Sequence, residues 1–183
     1  GFALQVQKGG RCAQYTLVFT GLPVVTLNEQ SSTMQGERLE LFGDFTLSEP
    51  EGAAEALVCY WRRGGVTSQL DKASWRLSLK DTKEDNYALP LLGMRSDDDW
   101  ILTALHADPN RIREKLCQEL WQRMQGQGAE PPVSQMQYVE LVQNGQYMGL
   151  YGLQVPLDAK QVGLQHADEA LFKISLGYQS FGH

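Results

Sequence analysis

The chain has 183 residues, 42% of them hydrophobic and 21% charged, with a formal net charge of −6. That composition excludes a disordered chain and supplies enough apolar surface for one domain, residues 1–183, without metal or disulfide staples. The acidic balance argues against a nucleic-acid surface, and no apolar run approaches the roughly 18 residues of a membrane-spanning helix.

The first third reads as strand. Phe2–Gln7 and Tyr15–Thr20 flank the turn Lys8-Gly9-Gly10-Arg11, and Gly21-Leu22-Pro23 breaks the chain before Val24–Leu27. Arg38–Phe42 and Phe45–Leu47 follow as separate segments around Gly43-Asp44, and Ser48–Gly52 reads as an exposed acidic loop. Ala56–Arg62 is apolar enough for a central strand. Ser74–Lys80 alternates strictly, so Trp75, Leu77 and Leu79 face one way. Gly64-Gly65 marks the turn between these two strands.

The spacing predicts one long helix from Asp108 to Met124. Asp108 is the expected N-cap, Pro109 the first helical residue, and Ile112, Leu116, Leu120 and Met124 the core stripe. A hairpin of Tyr138–Val142 and Tyr147–Leu153 turns at Asn144-Gly145, a dipeptide suited to the positive φ of a type I′ turn. Ala170–Leu176 reads as a last strand. The fold class expected is therefore α+β, a mostly antiparallel sheet packed against one long helix.

Little of this carries obvious chemistry. Cys12, Cys59 and Cys117 show no C-x-x-C, which argues against zinc and leaves one disulfide open. His106, His166 and His183 share no ligand spacing, and no metal site is expected. There is no nucleophile elbow and no P-loop. Asp97-Asp98-Asp99 reads as a solvated turn, with magnesium the alternative, because adjacent side chains diverge in an extended segment. Gly149-Leu150-Tyr151-Gly152 reads as strand glycines beneath aromatics, a close backbone approach to a ligand being the alternative. Arg62-Arg63-Gly64-Gly65-Val66-Thr67-Ser68 is a basic hairpin turn whose donors are also suited to phosphate oxygens, with Lys72 close by.

In order and spacing these segments resemble the CotH spore-coat protein kinase family. Arg63–Thr67 followed by Lys72 resembles its arginine-glycine loop and strand opening. Leu91-Leu92-Gly93-Met94 with Asp99–Leu102 is similar to its leucine-glycine and tryptophan segment. Asp108–Leu116 resembles its aspartate-started helix, and Tyr138–Leu153 its hairpin. Together they span about Leu22 to Leu164.

The resemblance implies the N-terminal lobe of an atypical kinase fold, ATP with magnesium as cofactors, and secreted or surface proteins as substrates. It implies a bacterial protein located outside the cell or on the cell or spore surface. Carried over by position, Arg63, Gly64, Thr67 and Lys72 would meet the nucleotide phosphates.

The chain departs from the family in three places. One lysine, Lys72, is followed by Ala73 where the family has two; Gly65 replaces a polar residue; Val155 replaces a glutamate after the hairpin. The family's catalytic and metal-binding aspartates belong to a second lobe and have no visible counterpart here. The resemblance thus implies little or no kinase activity for residues 1–183 alone. The alternative reading is a non-catalytic extracellular module whose exposed Trp and Tyr side chains face proteins or glycans.

Overall fold

The structure is a computed structural model that describes residues 2–17, 19–65, 70–124, 134–164 and 169–170. Its elements in chain order are β1 (Phe2–Lys8), β2 (Arg11–Leu17), β3 (Val24–Gln35), β4 (Arg38–Glu49), β5 (Gly52–Arg63) and β6 (Ser74–Lys80). There follow β7 (Leu89–Pro90), β8 (Ser96–Asp97), β9 (Asp99–Thr103), α1 (Arg113–Met124), β10 (Met136–Gln143) and β11 (Gln146–Gln154).

The expected sheet packed on a long helix is not what forms. Seven strands close into a barrel in the order β10-β11-β9-β6-β5-β4-β3. Every pairing around it is antiparallel except the closing one, where β3 runs parallel to β10 with Val24 opposite Glu140. The barrel keeps its core inside: Leu27, Phe45, Tyr60, Leu77, Trp100 and Tyr151 are all buried.

β3, β4 and β5 all run longer than their sequence suggests. Arg38–Phe42 and Phe45–Leu47 join into one strand because Gly43 lets β4 press against β3. A Cβ there would strike the Asn28 carbonyl, with the Asn28 carbonyl carbon at 2.8 Å. The Ser48–Gly52 segment is exposed as expected, but it is a tight turn that pairs Glu49 with Gly52.

The helix departs most from expectation. It has 12 residues and starts at Arg113, not Asp108. Arg111 donates its N–H to the Asp108 carbonyl at 3.0 Å and adopts φ 59°, so residues 108–111 form a turn that a helix cannot run through. The expected core stripe is not buried: Ile112, Leu116, Leu120 and Met124 are all exposed.

Asp97 corrects another expectation. It is fully buried, not a solvated turn residue, and ion-pairs with Arg95 and Lys160, both at 2.7 Å. Lys160 also reaches Asp98 at 2.9 Å, and Arg95 reaches Asp158 at 3.0 Å. These pairs pin the segment after β11 onto β8. Burial disfavours the Asp98 charge, but the Lys160 hydrogen bond and neighbouring donors outweigh it and hold that carboxyl below its ordinary value.

The Asn144-Gly145 turn forms as expected, with φ of 50° and 76°. At Gly152 the glycine serves packing, since an added Cβ would overlap the Met136 thioether. The three cysteines are unbridged. Residues 171–176 of the expected last strand lie outside the described residues.

Candidate functional site

Arg63 closes β5 and pairs across the ladder with Ser74, which opens β6. The ten-residue connection between them therefore starts and ends at one edge of the barrel. Gly64 takes φ 115°, a conformation that favours glycine and turns the chain directly after Arg63. Thr67 lies outside the described residues.

Arg63 and Lys72 line one cavity of about 240 Å³. Ser74, His106, Asp108 and Glu114 contribute to the same wall. Gly64 is the neighbour of Arg63 but is not part of that lining. The sequence pointed to Arg63 and Lys72. It did not point to Glu114, which reaches the cavity only because Arg111 bends the chain before the helix begins.

Lys72 is held from two sides. Its Nζ donates to the Leu150 carbonyl and sits 4.2 Å from the Tyr151 ring centroid, where the ring face attracts a cation. Burial above all, joined by the nearby charge of Arg111, pushes its pKa down from 10.5 to about 8. A cation kept partly dry and repelled by another cation favours an anion beside it.

Asp108 organises the other wall. Its carboxylate accepts from the Arg113 N–H at 2.8 Å and the Asn110 N–H at 3.1 Å, and it pairs with the Arg113 guanidinium at 3.3 Å. The Arg113 N–H above all, opposed by burial and joined by the Asn110 N–H and the Arg113 charge, holds this carboxyl below its ordinary range. Asp108 is thus a cap, as expected, but it caps a helix that begins five residues later.

A larger hollow of about 690 Å³ lies outside the barrel wall formed by β3 to β6. Asp44, Glu55 and Asp81 collect there beside Lys80, so its charge opposes a polyphosphate. The smaller cavity sets the cations of Arg63 and Lys72 beside the carboxylates of Asp108 and Glu114, the first of which is already paired with Arg113.

A family model described as CotH kinase protein matches residues 62–175, more than half of the chain. The chain belongs to the CotH kinase family. No curated protein matches it. The CotH match begins at Arg62, so it takes in the whole β5–β6 connection, the cavity, α1 and the Asn144-Gly145 hairpin, and leaves β1 to β4 outside.

The departures from the CotH pattern have structural causes. Ala73 is buried in the barrel core, so a second lysine there would point away from the cavity. Val155 is likewise a core residue. Among the described residues no group of three or more His, Cys, Asp or Glu is placed to hold a metal ion. No helix of the described residues is long and apolar enough to cross a membrane.

Proposed function

We propose that the cavity shared by Arg63 and Lys72 receives the phosphate end of ATP. The observation that carries this reading is the convergence of two cations, nine positions apart and near either end of one connection, on a single recess. At about 240 Å³ the recess is smaller than a typical pocket for a whole ligand, roughly 300–1,000 Å³. It suits the phosphates and leaves the nucleoside outside. Phosphoryl transfer depends mainly on positioning and on cationic stabilisation of those oxygens.

In this reading Lys72 is the point charge on the phosphates and Arg63 the planar second donor. Glu114, in the first turn of α1, is the carboxylate that orients the lysine once nucleotide draws it from Leu150. Gly64 supplies the bend and Thr67 a hydroxyl on the same connection. Magnesium arrives with the triphosphate and neutralises its charge, because the described residues assemble no cage for it.

The family function this serves is ATP-dependent phosphorylation of secreted or surface proteins, outside the cell. Residues 1–183 alone carry nucleotide recognition with little or no transfer. Calorimetry with MgATP tests the site: saturable binding by the intact chain, lost in Lys72→Met with the fold retained, supports it. Absence of binding at millimolar MgATP overturns it and leaves the non-catalytic module.

A further inference from the structure

Lys72 is placed as a nucleophile as well as a cation. It lies just before β6, partly buried, on the wall of the recess it shares with Arg63. Among the described residues no carboxylate pairs with it. Its Nζ donates to the Leu150 carbonyl and sits 4.2 Å from the centroid of the Tyr151 ring. A neutral amine keeps that hydrogen bond through one N–H and still has a lone pair to offer. Lys160 is the contrast: Asp97 and Asp98 accept from it at 2.7 and 2.9 Å and hold its amine charged, well above the ordinary lysine range.

Partial burial and a neighbouring cation are the two devices that turn a lysine into an imine-forming nucleophile. Lys72 has both, burial first and the charge of Arg111 second, which bring its pKa to about 8. Roughly a quarter of it is then neutral at pH 7.5, against about one part in a thousand for a free lysine. The other charged and titratable groups around it are Arg63 at the end of β5, His106 and Asp108 after β9, Glu114 on α1 and the Tyr151 phenol on β11.

Arg63 decides which electrophile this amine meets. Its guanidinium offers paired N–H donors suited to phosphate oxygens, on the same recess of about 240 Å³. A small molecule gripped there by its phosphate presents the rest of itself to Lys72. We infer that Lys72 is a covalent modification site for small phosphorylated aldehydes, with Arg63 holding the phosphate and the lysine nitrogen forming an imine at the aldehyde carbon. The inference rests on the reading of the recess as a phosphate site. In the reaction the neutral amine's lone pair attacks the carbonyl carbon and an N–C bond forms. The two amine protons leave with the former carbonyl oxygen as water, and a C=N bond remains. No oxidant or reductant is consumed.

The probes are pyridoxal phosphate and glyceraldehyde phosphate, with unphosphorylated pyridoxal as the control. Each is mixed with the 183-residue chain, the imine is reduced with borohydride, and the labelled lysine is located by peptide mass spectrometry. Both phosphorylated aldehydes are expected to label Lys72, and pyridoxal to need at least about tenfold more reagent, the effect of one charge-assisted hydrogen bond. The rate should rise with pH about a midpoint near 8. Arg63→Ala should keep the label on Lys72 and lose the preference for phosphate. Lys72→Met should lose the label, with circular dichroism showing the barrel retained. Label spread over the other lysines, a label from only one of the phosphorylated aldehydes, or equal reaction with pyridoxal overturns the inference. MgATP binding that Lys72→Met abolishes, in a chain whose Lys72 takes no label, overturns it too and leaves the nucleotide site standing. A phosphate-dependent label on Lys72 in a chain that does not bind MgATP supports it and removes the nucleotide reading instead.

Discussion

Lys72→Met should make the protein more stable while removing its phosphate affinity. Each pKa unit is worth about 1.4 kcal/mol. The drop from 10.5 to about 8 therefore caps the cost of holding the amine charged at roughly 3 kcal/mol. Residual solvent around this half-buried group reduces that to roughly 2 kcal/mol. Methionine keeps the stem against Tyr151 but leaves the Leu150 carbonyl without its donor, a loss of about 1 kcal/mol. The net gain at pH 7 is about 1 kcal/mol, or roughly 2–4 °C in Tm for a domain of this size.

The pH dependence makes the test specific. Because the folded pKa lies below the unfolded one, the unfolded wild-type chain binds more protons between pH 8 and 10.5, and wild-type stability rises across that window. The methionine variant lacks that rise. Its advantage should be full below pH 8 and gone by about pH 10.5. Urea unfolding followed by tryptophan fluorescence at pH 7 and pH 9.5 measures both. A variant less stable than wild type at pH 7, or an advantage indifferent to pH, would show that Lys72 is a structural strut.

Other outcomes follow from single positions. Asp97→Ala, which strips the buried partner from Arg95 and Lys160, should cost roughly 2–4 kcal/mol in denaturant unfolding. Gly43→Ala should cost roughly 3 kcal/mol or more, since the obstacle is the Asn28 backbone and cannot swing aside. The Cys59 thiol is buried, and burial together with Glu40 pushes its pKa up to about 11. Thiol titration of the native protein should therefore find Cys12 and Cys117 reacting quickly and Cys59 only after unfolding. A fast third thiol would refute that placement.

What the sequence revealed was local. Ser74–Lys80 alternates because one side faces the barrel interior, and Asn144-Gly145 turns because both residues tolerate positive φ. Barrel closure was hidden, because the parallel pairing of β3 with β10 joins residues more than a hundred positions apart and leaves no periodic trace. Helical periodicity revealed that α1 has an apolar stripe but not which way the stripe points. Asp97 looked solvated beside two other acids; only the distant Lys160 and the nearby Arg95 explain its burial. At the site, Arg63 and Lys72 were legible as basic residues flanking a glycine turn. Glu114 and Arg111 were not, because both depend on the bend before α1.

The most direct measurement is a double-mutant cycle on MgATP affinity with Arg63→Ala, Lys72→Met and the pair. If both cations grip one phosphate chain, each single change should weaken binding at least about tenfold, or about 1.4 kcal/mol. The double variant should then fall well short of the product of the two losses. Losses that multiply, or an affinity untouched by either change, would contradict a shared phosphate site.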